Sequence, residues 1–241
     1  KNTKNNNIDF SVININSSDW LERIKGFSHL IWGVSSKYSK LYESHTKIKL
    51  IEEQLKIKCF PSFDLLWSYE DKVRMYYILK HNGINVVNTF ISFDETEVFE
   101  KLDIFNYPLV SKISTGSGSR GVVLIKNSNQ LFKMANKIFT SGLPTYNTFL
   151  KQHNYVYLQD FIKDATRDIR VIVVGDKVFG YSRLRPNNDF RASGAGLYKK
   201  EALPDYVIKE AIKVRDLLNA YIIAVDFVDS PSNNAFYVIE A

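Results

Sequence analysis

Residues 108–125 read as an apolar run, a glycine-serine loop and a second apolar run: Pro108-Leu109-Val110-Ser111-Lys112-Ile113, then Ser114 to Gly121, then Val122-Val123-Leu124-Ile125. Two β-forming runs joined by so flexible a loop predict a hairpin, which commits the middle of the chain to a sheet. The loop, Thr115-Gly116-Ser117-Gly118-Ser119-Arg120-Gly121, can turn several backbone N–H groups and hydroxyls toward phosphate oxygens, because glycine lets a backbone come close. Glycine-serine stretches are also common linkers, so the loop by itself leaves both readings open. It is not a P-loop, which ends in Gly-Lys-Ser or Gly-Lys-Thr. Nor is it the dinucleotide pattern, which opens a helix where this loop leads into a strand.

Strand and helix patterns alternate around the hairpin. Residues 8–15 alternate apolar and polar side chains through Phe10, Val12 and Ile13, and Leu30-Ile31-Trp32-Gly33-Val34 is a second apolar run; both predict strands. Ser18-Asp19 offers a helix N-cap, and residues 42–55 predict a longer amphipathic helix. A small α/β lobe over residues 1–67 follows. Next come a helix from Ser68 through Asp71-Lys72 to a glycine stop at Gly83, an extended segment 84–93 and a capped helix 94–102. Beyond the hairpin the patterns predict a helix 132–140, a poorly defined loop 145–154 and a strand 155–162. An antiparallel pair, 168–174 with 177–185, turns at Gly175-Asp176; helix 206–218 and strands 221–227 and 235–239 complete an α/β chain.

A chain of 241 residues, 45% hydrophobic with 16 Phe and 14 Tyr, has ample apolar surface for two or three packed lobes, which excludes global disorder. Its one cysteine, Cys59, cannot form an internal disulfide, and no stretch approaches the ~20 apolar residues of a membrane span. No secretory signal opens the sequence, so the protein reads as soluble and cytoplasmic, although a start at Lys1 without Met points to residues further upstream. The net charge of +6 comes from Lys and Arg spread along the chain, which suits attraction of anionic ligands better than a nucleic-acid footprint. The four histidines, His29, His45, His81 and His153, lack metal-ligand spacing.

Three charged residues stand in apolar strands. Lys112 ends one just before the glycine loop, where an ammonium can meet a phosphate or simply snorkel to the surface. Asp226 lies within Ala224-Val225-Asp226-Phe227-Val228, and Glu240 closes Tyr237-Val238-Ile239-Glu240. Carboxylates there are costly unless they are paired or bind a metal. Adjacent strands could bring them together around Mg²⁺, which takes one or two carboxylates plus phosphate oxygens; structural ion pairs are the alternative.

These pieces, in this order, resemble the ATP-grasp superfamily, in particular its branch of RimK-type glutamate ligases and glutathione synthetase. The resemblance runs from about Tyr69 to the end, and the first lobe is similar to the family's small Rossmann-like pre-ATP-grasp domain. It implies an ATP-grasp domain over 68–241, with a glycine-loop subdomain at about 105–160 and a C-terminal sheet subdomain at about 161–241. Lysines of the Glu-Asp-Lys helix and before the glycine loop contact ATP phosphates in that family, which carries over to Lys72 and Lys112. Gly116, Ser117, Gly118, Ser119 and Gly121 would form the phosphate loop. Gln159-Asp160-Phe161-Ile162 resembles the hinge whose backbone holds adenine, and Asp168 matches the ribose-binding acid. The most specific matches are Asp168-Ile169-Arg170-Val171-Ile172-Val173-Val174-Gly175 and Asp189-Phe190-Arg191.

The resemblance further implies that Arg170 and Arg183 face the reaction centre, with Arg185 and Arg191 as close alternatives, and that Asp226 and Glu240 bind Mg²⁺ or Mn²⁺. The family's third metal ligand, an asparagine two positions after the glutamate, would fall just beyond Ala241. The implied activity is ATP-dependent ligation of a small-molecule or peptide carboxylate to an amine or thiol through an acyl phosphate, in a protein that could be a homodimer. A non-catalytic nucleotide-binding module and an ATP-dependent phosphotransferase are the alternatives. Ala192-Ser193-Gly194-Ala195-Gly196 departs from the asparagine-containing loop of the glutamate ligases, which separates the family from the acceptor.

Overall fold

The computed structural model describes residues 8–116, 120–145, 149–186, 189–192 and 196–241. The chain divides into two compact units, Lys1–Leu66 and Trp67–Ala241. Among the described residues no helix is long and apolar enough to cross a membrane.

In the first unit, strands β1 (His29–Ile31) and β2 (Lys58–Phe60) pair in parallel, His29 opposite Lys58. Parallel neighbours need a long crossover, and helix α2 (Tyr38–Glu53) supplies it, burying Leu41, Ser44, Ile48 and Ile51 at helical spacing. The core joins Ile24 at the end of α1 (Trp20–Ile24) to Ile51 and Ile57, with Trp20, Leu30 and Ile13 packed around them. The strand expected over residues 8–15 does not form. Ile8, Phe10 and Val12 are exposed, Ile13 alone reaches the core, and a turn closes at Asn14–Ser17. Alternation becomes a strand only where a neighbouring strand takes up the backbone hydrogen bonds.

Helix α3 (Phe63–Ser68) spans the junction of the units. Helix α4 (Lys72–His81) begins at Lys72, later than the expected start at Ser68. Glu70 has φ +56, which no right-handed helix accommodates, and Asp71 then caps the helix by accepting the Arg74 N–H at 3.0 Å.

A four-stranded antiparallel sheet has the order β3-β8-β4-β5, from β3 (Thr89–Ser92), β4 (Leu109–Lys112), β5 (Val122–Ile125) and β8 (Val156–Asp160). Helices α5 (Glu95–Glu100) and α6 (Ser128–Phe139) cover one face through a core of Val98, Leu109, Leu131, Ile138 and Leu158. Helix α6 starts before the expected residue 132 because Asn127 caps it, accepting the Gln130 N–H at 3.0 Å. Within the stretch expected as a loop, β6 (Leu143–Pro144) and β7 (Lys151–Gln152) pair antiparallel.

The second sheet has the order β11-β10-β9-β12-β13: β9 (Arg167–Val174), β10 (Lys177–Leu184), β11 (Tyr198–Lys199), β12 (Ile222–Ser230) and β13 (Ala235–Glu240). Helix α7 (Asp205–Leu217) packs Val207, Ala211 and Val214 against Ile169, Val171, Val173, Val225 and Phe227. Side chains alternate across a sheet, so Asp168, Arg170 and Asp226 stand on the opposite face. A parallel bridge, Val86 to Val238, joins the segment before β3 to β13; Val238 N–H donates to Asn85 O at 2.8 Å and Val87 N–H to Val238 O at 3.4 Å.

Candidate active site

Strand register assembles the charged centre. Tyr181, Arg170, Asp226 and Glu240 are successive cross-strand partners on β10, β9, β12 and β13. Directly paired residues share a face and lie close enough to interact. The Arg170 guanidinium grips Asp226 in a fork, Nε to Oδ1 and Nη2 to Oδ2, both at 2.7 Å. From β10, Arg183 adds an Nη2 contact to the same Oδ2 at 2.9 Å and bonds Asp168 through Nε. Asp226, Arg183 and Asp168 are all about 5% exposed, and such carboxylates and guanidiniums are tolerable in a dry setting only because each is paired. Burial pushes the Asp168 carboxyl up to about 6, against the pull of Arg183. The Asp226 carboxylate holds Arg170 above the ordinary guanidinium value.

A cleft opens between this face and the four-stranded sheet. It brings together Lys72, Lys112, Gly116, Asp160, Phe161, Ile162, Asp168, Arg183, Arg191, Asp226 and Glu240, residues drawn from positions far apart in sequence. Arg170 meets the cleft through Asp226. Lys112 is 9% exposed and its ammonium makes no hydrogen bond or ion pair among the described residues; burial lowers that ammonium to about 8, with Glu240 opposing the shift. Lys72 bridges the two sides, its Nζ 3.2 Å from Glu240 Oε1 and donating to the Gly116 carbonyl.

Gly121 forms the far root of the loop and does not line the cleft. Its φ is +72, its carbonyl accepts the Ile113 N–H, and a Cβ there would lie 2.4 Å from Ile113 Cδ1. Ser117, Gly118 and Ser119 lie outside the described residues. At the hinge, Asp160 is turned to Asn88, its N–H donating to Asn88 O at 2.9 Å and its Oδ2 accepting Asn88 Nδ2 at 3.0 Å. The strand ends there, which leaves Phe161 and Ile162 as the cleft-lining backbone after it. Arg191 forks onto Asp189 at 2.7 Å near the surface.

The cleft also holds residues that sequence reading passed over. Arg120 and Arg167 line it; Arg185, expected only as an alternative, donates to the carbonyls of Ala165 and Phe190 and lies 5.3 Å from the Phe161 ring centroid. Phe190 meets Phe161 edge to face at 6.1 Å. Glu70 lies nearby with a buried Oε2 that has no hydrogen-bond partner among the described residues, and burial raises its carboxyl. Arg120 sits in the glycine loop and Phe190 in Asp189-Phe190-Arg191, so proximity to those motifs was the available signal.

Cations outnumber carboxylates around the cleft, which suits a polyanion such as a nucleotide triphosphate. Among the described residues no three His, Cys, Asp or Glu groups converge. Asp226 and Glu240 nevertheless fit a hard divalent cation that takes its other ligands from phosphate. A carboxylate oxygen has two lone-pair sites; Lys72 approaches Glu240 through Oε1, and Asp226 Oδ1 accepts one donor among the described residues.

The RimK-like ATP-grasp domain model matches residues 69–241. Among curated proteins, an α-aminoadipate–LysW ligase of Saccharolobus solfataricus is 29% identical over 66% of this chain and 56% of its own length. A glutamate–LysW ligase of Sulfolobus acidocaldarius is 29% identical over 85% of this chain and 68% of its own. The chain thus spans between about half and two thirds of these relatives. Among solved structures, D-alanine–D-alanine ligase from Bacillus anthracis superposes with a TM-score of 0.67 at 20% identity, covering 98% of this chain and 76% of that one. A RimK domain ATP-grasp protein from Sphaerobacter thermophilus gives 0.62 at 17%, covering 88% and 72%. The fold is therefore that of the ATP-grasp enzymes, and the chain belongs to the RimK-like ATP-grasp family.

Proposed function

We propose that the chain carries the ATP-binding and catalytic part of a cytoplasmic ligase that joins a carboxylate to an amine through an acyl phosphate. The observation that carries this reading is the convergence of Lys72, Lys112, Glu240 and the Arg170–Asp226–Arg183 cluster on one cleft. Lys72, Lys112 and the backbone of the Gly116–Gly121 loop take the phosphates, Phe161 and Ile162 the adenine, and Asp168 the ribose. Glu240 and Asp226 would hold Mg²⁺, which would supply neutralisation of phosphate charge.

A carboxylate oxygen of the substrate attacks the γ-phosphorus in line and the bond to ADP breaks. Arg183 and Arg191, with Arg170 behind Asp226, stabilise the equatorial charge of that transfer. The amine then attacks the acyl carbon, phosphate departs, and the nitrogen loses a proton. Residues 1–67 form the lobe before the ATP-grasp domain, 68–241. The relatives' names, α-aminoadipate–LysW and glutamate–LysW ligase, favour an acidic amino acid as the amine.

The test is release of ADP and phosphate by the full-length protein with MgATP, a panel of carboxylates and amino acids, and mass analysis of products. An amide with stoichiometric ADP and phosphate supports the ligase. A stable phosphorylated product assigns a phosphotransferase instead, and ATP binding without turnover assigns a non-catalytic module.

A further inference from the structure

Ser114 lies two residues past Lys112 and two before Gly116, is 8% exposed, and has every polar atom engaged. Its hydroxyl donates to Asp71 Oδ1 at 2.6 Å and accepts the Val73 N–H at 3.4 Å. Its carbonyl accepts the Lys72 N–H at 3.0 Å, and its own N–H donates to the Tyr155 hydroxyl at 2.9 Å. Asp71 Oδ1 is also the cap of α4. The first turn of one helix and the near root of the glycine loop are therefore stitched together around a single serine.

Two features separate this stitch from ordinary fold support. None of Asp71, Ser114 and Tyr155 belongs to a hydrophobic core of the unit; each stands at the end of an element or just outside it. The stitch also lies directly beneath two cations, since Lys72 follows Asp71 and Lys112 precedes Ser114 by two residues. Both lysines line the same cleft, and like charges held close repel. The Glu240 carboxylate, 3.2 Å from Lys72 Nζ, offsets part of that repulsion at the side-chain ends. Bonds from Ser114 to Lys72 N–H, Val73 N–H and Asp71 fix the backbone from which both side chains project.

We propose that Ser114, Asp71 and Tyr155 are positioning residues that set the spacing of Lys72 and Lys112 for the phosphates of a nucleotide. The proposal rests on the ATP reading above. It concerns phosphate affinity and leaves the nucleoside contacts alone, which makes the two parts of the ligand separable by titration.

The experiment uses the full chain as wild type, Ser114→Ala, Tyr155→Phe and Asp71→Asn, with calorimetric titration by ATP, AMP and adenosine. Loss of buried bonds of this kind is expected to weaken ATP by about ten-fold or more, AMP by less, and adenosine within two-fold, the adenosine titration reporting that the rest of the site is folded. Tyr155→Phe keeps the ring and removes only the acceptor, so it carries the test if Ser114→Ala does not fold. Equal losses for ATP and adenosine, or unchanged ATP affinity, overturn the positioning role while the nucleotide site stands. A wild type that binds no ATP overturns the nucleotide reading and this inference with it.

Discussion

Asp226 and Glu240 stand directly opposite one another on β12 and β13, yet Asp226 is 4% exposed and gripped by Arg170 and Arg183, while the Glu240 side chain is 40% exposed and pairs with Lys72. Both line the cleft, but one is held by two arginines and its neighbour is open. Glu240→Gln keeps the shape and removes the charge. Nucleotide affinity should change little while Mg²⁺-dependent ADP release falls by roughly 10²-fold or more. Equal turnover of the two proteins would defeat the metal assignment.

Arg183 and Arg191 should separate stability from activity. Arg183→Met leaves Asp168 and Asp226 buried with a lost partner, and urea unfolding should register a loss of about 3–5 kcal/mol. Arg191 and Asp189 are 40% and 34% exposed, so Arg191→Met should alter stability by under ~1 kcal/mol while lowering turnover.

Lys112 should give opposite pH trends in stability and binding. Burial places its folded-state value near 8 against an ordinary 10.5. Between those values the unfolded chain holds a proton that the folded chain has lost, so this group's contribution makes stability rise with pH across that window. Phosphate attraction requires the ammonium, so ATP affinity should fall as pH passes 8. Thermal unfolding and calorimetry between pH 7 and about 10 should show both trends, and Lys112→Met should flatten them.

Gly121 and Gly83 have nearly equal φ, +72 and +68, but a Cβ at Gly121 would strike Ile113 while Gly83 faces open space. Gly83→Ala should cost about 1 kcal/mol from conformation alone. Gly121→Ala should cost more, about 1–3 kcal/mol, and should also weaken ATP, because the strained residue ends the glycine loop. Similar melting points for the two variants would contradict this.

Strand segments with strong apolar alternation were legible: residues 168–174 and 177–185 pair across Gly175-Asp176 as their pattern required. Residues 8–15 carried a similar alternation and stayed irregular, because periodicity does not reveal whether a neighbouring strand exists. For the site, Lys72, Lys112, Asp226 and Glu240 could be named from their motifs and apolar settings. The role of Arg183 as the link between Asp168 and Asp226 depends on register, which a sequence does not display. Nor does anything near Tyr155 announce that its hydroxyl meets Ser114, 41 residues earlier.

The bridge at Val86 and Val238 gives the larger unit a spine. Backbone bonds on both sides of Val238, with Asn85 Nδ2 reaching Phe236 O at 2.9 Å, bind the lead-in to one sheet onto the edge strand of the other. The cleft is therefore bound like a book along one margin, with Lys72 and Glu240 meeting across it. Wear should begin at the free margin, so within β13 and the segment before β3 amide exchange should be slowest around Val238 and quicken away from it.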